Sequence, residues 1–175
     1  TMCDVYFILD TVQFRKKYFQ NRNKIRNKNK GWQWLTVPVL TKGHRMMNLS
    51  EIKINDETKW KRKHLNAIKI SYGKTPYFDQ IYSELEKIYY EFKGDLLVDF
   101  VFSVIKYAFH KFDINIPIYR TSEIKDHGIK LDGQKSDLII NMCKISGAKS
   151  YIFGQEGRNY IEKEKFSTNN IEYVF

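Results

Sequence analysis

QKSDLIINMCKISGAKSYIF, residues Gln134 to Phe153, decides the fold class. Its apolar positions Ile139, Ile140, Met142, Cys143 and Ile145 predict a helix over Gln134–Ser146 closed by Gly147, and Tyr151–Phe153 is a run of strand length. Ahead of it, IPIYR (Ile116–Arg120) reads as a short strand, and Ile171–Phe175 as a last one. Strands alternating with helices predict an α/β fold with a mixed, partly parallel sheet.

Two more helices lie N-terminal to this stretch. Tyr77–Phe92 repeats apolar residues at Ile81, Leu85, Ile88, Tyr89 and Phe92, and Asp95–Phe112 is the most apolar helical segment, so together they predict a helical layer from the middle of the chain. From Thr58, the positions Trp60, His64, Leu65, Ile68 and Tyr72 share a face of a third helix, with Asp56 as its expected N-cap and Gly73 as its end. Further back, Trp32–Leu40 and Met46–Ile54 read as strands joined through Thr41–Arg45, and Val5–Leu9 as a buried strand. No internal repeat and no Pro/Gly/Ser-rich linker interrupts the chain, which reads as one domain over residues 1–175.

Charge divides the chain sharply. Its formal net charge is +10, and Thr11–Ser50 accounts for all of it, with ten Lys or Arg and no Asp or Glu. Eight of those cations fall within Arg15–Lys30, RKKYFQNRNKIRNKNK. Even spacing of the acids would put about four or five in a window of that size, so their absence marks a segment for a phosphate-bearing partner. The same run, rich in Lys and Asn, also reads as a solvated basic loop.

Other classes are disfavoured by composition. The two cysteines, Cys3 and Cys143, lie far apart with no metal-ligand spacing, so neither a disulfide framework nor a zinc site is expected, and a reducing cytoplasm suits them. Leu96–Phe112 is broken by Asp99, Lys106, His110 and Lys111, which excludes it as an ordinary membrane span. No GxSxG, Cys/His or HExxH signature supports covalent or zinc hydrolysis.

Ligands in open α/β sheets collect beyond the carboxyl ends of strands. The polar segments expected there are Asp10–Arg15, Arg120–Ile124 and Gly154–Asn159. In the first region Asp10, Gln13, Asn21, Arg22 and Asn23 gather hydrogen-bonding groups around a basic loop that also carries Arg15 and Lys16, with Arg suited to bidentate phosphate contact. The asparagines serve equally well to close turns. Gly154, Gly157 and Arg158 could bring backbone amides and a guanidinium to an anion, or form a tight turn after a strand.

Among His44, His64, His110 and His127, His64 is the first choice for a general acid or base, one turn beyond Trp60; the alternative is a histidine packed beside that ring. Trp32, Trp34, Tyr72, Tyr77 and Phe78 could stack on a base or sugar, or line the core. Cys143, mid-helix, reads as core.

The string from Asp10 to Ile25, followed by WLTVPV, then Trp60 with KHL and a distal Tyr72, then YIFGQEGRNYI (Tyr151–Ile161), resembles the WbqC-like protein family over nearly the whole chain. That resemblance implies a bacterial setting among genes for surface polysaccharide, and a cytoplasmic step in O-antigen or related glycan synthesis. Acyl or aminoacyl transfer to the amine of a nucleotide-linked amino sugar would suit it. The family pattern also places a HisGlnPro-containing strand ahead of the segment matching Cys3–Leu9, so an N-terminal family segment is expected to be missing here.

In that reading the basic loop holds the diphosphate through Arg15, Lys16 and Arg22, while Gln13, Asn21 and Asn23 fix base or sugar edges. Trp60, Tyr72, Gly154, Gly157 and Arg158 complete the substrate site, and His64 or Asp10 takes the proton of the attacking amine. No metal is expected. The donor is open among acyl-CoA, a formyl donor and aminoacyl-tRNA. Two other classes compete: an RNA-binding module using the basic aromatic segment 11–50, and a non-catalytic partner in glycan assembly.

Overall fold

The computed structural model describes residues 2–27, 29, 31–40, 43, 46–124, 131 and 135–175. The fold is mixed α/β, with helices through the middle of the chain and both parallel and antiparallel strand pairing. Among the described residues the pairing is divided into three two-stranded ladders. The chain forms two compact units, Leu9–Asn115 and a smaller one built from Thr1–Ile8 with Ile116–Phe175. His44 and His127, most of the Thr41–Arg45 connection, and the Gln134 start of the expected helix lie outside the described residues.

In the smaller unit β1 (Tyr6–Ile8) pairs in parallel with β4 (Ile118–Arg120), and β5 (Ser150–Ile152) in parallel with β6 (Glu172–Val174). Two helices accompany them, α4 (Ser136–Ser146) and α5 (Lys163–Thr168). Ile139, Ile140 and Cys143 of α4 pack with Phe153, Phe166 and Ile171. Burial pushes the Cys143 thiol up to about 11, so it stays a protonated core side chain. The periodicity predicted all of these elements except α5, whose six residues are too few to show a helical period.

The larger unit holds a hairpin, β2 (Arg22–Asn27) with β3 (Gly31–Thr36), and three helices, α1 (Trp60–Tyr72), α2 (Phe78–Glu91) and α3 (Leu97–Lys111). Trp60 and Leu65 of α1, Tyr89 of α2, and Leu97 and Phe100 of α3 close its core with Phe14, Val37, Ile52 and Ile54. Full burial of each such side chain stabilises by about 1.5–3 kcal/mol. The Leu97 amide donates to the Ile52 carbonyl at 2.8 Å and the Ile54 amide to Asp95 at 2.7 Å, which fixes the start of α3.

Three expectations are corrected here. β3 pairs with the basic segment, not with Met46–Ile54; the latter holds a 3-10 turn at Leu49–Glu51, where the Glu51 carboxylate accepts the Asn48 amide at 2.7 Å. Among the described residues the expected strand pair is reduced to a bridge between Val39 and Ile54, flanked by the Leu40 amide donating to the Lys53 carbonyl and the Asn55 amide to the Pro38 carbonyl, each at 2.9 Å. Asp56 does not cap α1: the residue at the N-cap is Lys59, and Asp56 accepts the Trp60 indole N–H at 2.9 Å. Finally, Arg22–Asn27 is a strand where a loop was expected.

Candidate functional site

The hairpin's register sets its chemistry. Arg22, Lys24 and Arg26 face Thr36, Trp34 and Trp32 respectively. The Val37 amide donates to the Asn21 carbonyl at 2.8 Å, so the ladder bonds fall on the odd-numbered β2 residues and the three cation pairs are the closely spaced, non-hydrogen-bonded ones. Cross-strand side chains meet most tightly in such pairs. The Arg22 guanidinium carbon lies 3.9 Å from the Trp34 ring centre, and the Lys24 ammonium 4.2 Å from Trp32 and 5.1 Å from Trp34. Trp32 and Phe19 both meet Trp34 edge-on, at 5.4 and 5.3 Å.

This face sets cations beside exposed rings. Phe19 is 64% and Trp32 47% exposed, leaving aromatic surface beside the cations. The Arg22 Nε is buried and has no hydrogen-bond partner among the described residues. Stacking on indole orients a guanidinium without neutralising it, so its charge stays available to a phosphate.

Residues of the non-hydrogen-bonded pairs turn their N–H and C=O groups out of the hairpin. On the β2 side, Arg26 does this against α1: its amide donates to the Tyr72 hydroxyl oxygen at 2.9 Å, and its carbonyl accepts the Ser71 hydroxyl at 2.7 Å. On the β3 side, the Thr36 carbonyl is bound to His64 Nε2 at 2.9 Å. Helix α1 is thereby tied to both edges. Between the β3 edge and the first half of α1 lies a cleft of about 400 Å³, walled by residues 33–36 and Pro38 on one side and by Thr58, Trp60, Lys63, His64 and Ala67 on the other.

His64 is 6% exposed and both ring nitrogens are engaged. Because Nε2 faces a carbonyl it must carry the proton, so Nδ1 accepts from the Tyr89 hydroxyl at 3.2 Å. Burial pushes the Tyr89 phenol up to about 12, keeping it a donor. The same burial lowers the His64 pKa against the smaller raising effect of the Thr36 carbonyl, so the ring is neutral near pH 7. Trp60 packs edge-on against it at 5.2 Å.

The remaining expected residues divide by exposure. Arg15 and Lys16 are exposed, with the Arg15 side chain 6.0 Å from the Tyr18 ring centre. Gln13 is exposed and bridged to Asn48, and the Asn23 side-chain oxygen accepts the Lys24 amide at 2.8 Å. Asp10 has 0% exposure and presents no surface to a ligand, while its carbonyl accepts the Ser50 amide. Asn21 is also buried, donating to the Val37 carbonyl at 3.0 Å, with Oδ1 lacking a partner among the described residues. Trp60, 3% exposed, is a core residue with one edge on the cleft.

Gly154, Gly157 and Arg158 belong to the smaller unit. There the Gly157 amide donates to the Gly154 carbonyl at 2.9 Å, within a 3-10 turn of five residues. A Cβ on Gly157 would meet the Phe153 Cβ at 2.7 Å, so close packing alone requires glycine at that position. Arg158 lies 5.1 Å from the Phe175 ring centre. Sequence reasoning missed Lys24, Lys63 and Tyr89 as members of the larger unit's site. The first had a signal: Arg-x-Lys-x-Arg followed by Trp-x-Trp is a period of two on both sides of Gly31.

Among the described residues no helix is long and apolar enough to cross a membrane. No solved structure matches the chain. The uncharacterized protein Rv1507c of Mycobacterium tuberculosis is 29% identical over 172 residues, covering 98% of this chain and 71% of that protein. The family model of the WbqC-like proteins matches residues 1–175, the full length of the chain, and the chain belongs to the WbqC-like protein family.

Proposed function

We propose that this protein acts in surface-glycan biosynthesis on a nucleotide-linked amino sugar, transferring an acyl or aminoacyl group to the sugar amine. The observation that carries the reading is the Arg22 guanidinium stacked at 3.9 Å on Trp34 with Lys24 beside it. A diphosphate placed against Arg22 and Lys24 would gain charge-assisted hydrogen bonds, and Arg15 and Lys16 extend the same charge. Exposed Trp32 and Phe19 offer stacking surface to the base. Family membership supplies the polysaccharide setting.

Amide formation from a free amine needs chiefly a held amine and a held acyl carbonyl, and positioning alone accounts for several orders of magnitude in rate. Of the two proton acceptors expected from the sequence, Asp10 is enclosed, and His64 Nδ1 could take a proton only in exchange for the Tyr89 hydrogen bond. We therefore give His64 a positioning part, holding β3 against α1.

Calorimetric titration with a dTDP-linked 4-amino-4,6-dideoxyhexose, and in parallel with tRNA, at two salt concentrations tests this. Saturable micromolar sugar-nucleotide binding that survives added salt is expected. A second reading, RNA binding, draws on Tyr18, Phe19 and Trp32 standing exposed beside Arg15, Arg22 and Lys24; it requires tRNA affinity falling steeply with salt and no sugar-nucleotide binding.

A further inference from the structure

The edge of β3 that borders the cleft carries unused backbone groups. By the register argument the N–H and C=O of Trp32 and Trp34 and the N–H of Thr36 point out of the hairpin on this edge; of these residues Trp34 and Thr36 line the cleft, and their outward groups have no partner among the described residues. The run is short. Along the cleft it is bounded on one side by Trp32, which lies outside the lining, and on the other by the Thr36 carbonyl, which His64 occupies, and by Pro38, which has no N–H. A peptide strand added to a sheet edge uses a longer row of such groups, recurring about every 6.8 Å. This edge suits an extended chain with about two amides.

Lys63 is the charged side chain of the lining, which holds no carboxylate. The surrounding residues 58–78 contain six Lys or Arg and no acid, continuing the pattern of residues 11–50. Lys63, exposed on the cleft, makes no ion pair among the described residues, whereas its neighbour Lys61 lies 3.9 Å from an Asp56 oxygen and donates to the Phe92 carbonyl at 3.3 Å. An extended two-amide chain ending in phosphate is the chemistry of a phosphopantetheine thioester.

We propose that the cleft between the β3 edge and α1 binds the pantetheine arm of an acyl thioester donor, its amides pairing with Trp34 and Thr36 and its phosphates drawn by Lys63. The inference rests on the acyl-transfer reading above and selects one donor class from the three. In the reaction the sugar amine nitrogen forms a C–N bond to the thioester carbonyl, and the C–S bond breaks with its electron pair on sulfur. The proton lost from nitrogen ends on the thiol, so no redox partner is needed.

Coenzyme A is the probe, titrated into the full chain with and without the sugar nucleotide. Expected are saturable binding, competition by pantetheine alone, and at least tenfold weaker binding in Ala67→Leu, which fills the cleft, and in Lys63→Glu. Thr36→Pro removes one outward N–H without touching a ladder bond and should weaken binding similarly, whereas Thr36→Val should not. Absence of coenzyme A binding, competition by adenosine 3′,5′-bisphosphate but not pantetheine, or unchanged affinity in Ala67→Leu overturns the proposal. If sugar nucleotide still binds when coenzyme A does not, only the donor assignment falls; if neither binds, the acyl-transfer reading falls with it.

Discussion

Arg120 and Lys165 in the smaller unit meet carboxylates, while Arg22 and Lys24 on the hairpin of the larger unit meet rings. Lys165 lies 2.8 Å from Asp137 and 3.1 Å from Glu162, and Arg120 3.1 Å from Glu123. Arg22 and Lys24 instead rest on Trp34 and Trp32. A carboxylate cancels a cation's field, whereas a ring quadrupole orders the side chain and leaves its charge intact. The hairpin thus combines order with unneutralised charge, which a binding face for phosphate needs. The turn after Phe153 also carries an arginine and two glycines, but there the glycine answers to packing and the arginine borders Phe175.

The largest effect that sharpens this contrast lies behind the hairpin. Trp60→Ala should cost about 3–5 kcal/mol, because the ring fills the core against Tyr89 and Phe100 and its N–H is bound to Asp56. Urea denaturation measures it, and any fall in ligand affinity should disappear once corrected for the unfolded fraction. A Trp60 variant that is stable yet fails to bind would move this residue from core to site.

Arg22→Ala comes next and tests the hairpin face itself. Ligand affinity should drop by about 1.5–3 kcal/mol, the range for a charge-assisted contact. Stability should change by about 0.5–2 kcal/mol, the worth of a half-buried cation–ring pair. The reverse pattern, a large loss of stability with unchanged affinity, would make the Arg22–Trp34 stack a structural pair like those of the smaller unit.

How much of this was legible in the sequence follows from what each element contributes to a pattern. Helices α1 to α4 each bury one face, so their apolar residues recur with a helical period that survives in the sequence. β2 does not, because Arg22, Lys24 and Arg26 face solvent and the rings of the partner strand. Its order comes from Trp32, Trp34 and the clasp of Tyr72 and Ser71 on Arg26, all outside the segment itself. Met46–Ile54 misled for a related reason: its alternation is real, but Asn48 and Glu51 close a local turn that competes with pairing. For the candidate site, charge and residue type singled out Arg22, but they could not tell the exposed Asn23 from the buried Asn21, since side-chain burial depends on the register of the hairpin.

Gly157→Ala probes the other side of the comparison. The added methyl would collide with the Phe153 side chain, costing about 1–3 kcal/mol of stability, while Gly154→Ala, with open space around it, should stay within about 0.5 kcal/mol. Neither should alter sugar-nucleotide affinity. A selective affinity loss in Gly154→Ala at full stability would return this turn to the binding surface.

The smallest effect concerns the neutral His64. Its pKa is lowered in the folded chain, so below the ordinary value of 6.5 the unfolded state takes up a proton that the folded state refuses. The stabilising contribution of neutral His64 is therefore complete above about pH 6.5 and is lost as pH falls from there through the lowered folded value, with a slope of at most about 1.4 kcal/mol per pH unit. Tyr89, pushed up to about 12, does not titrate in this window, and the Thr36 contact is a backbone carbonyl, so the proton in question is the imidazole's own. Replacing His64 by Gln should flatten this part of the stability–pH curve between pH 7.5 and 5.5. Groups that titrate elsewhere cancel in the comparison of the two proteins. Superimposable curves would mean that His64 exchanges its partners easily, and an imidazole free to do that could serve the sugar amine as a proton acceptor after all.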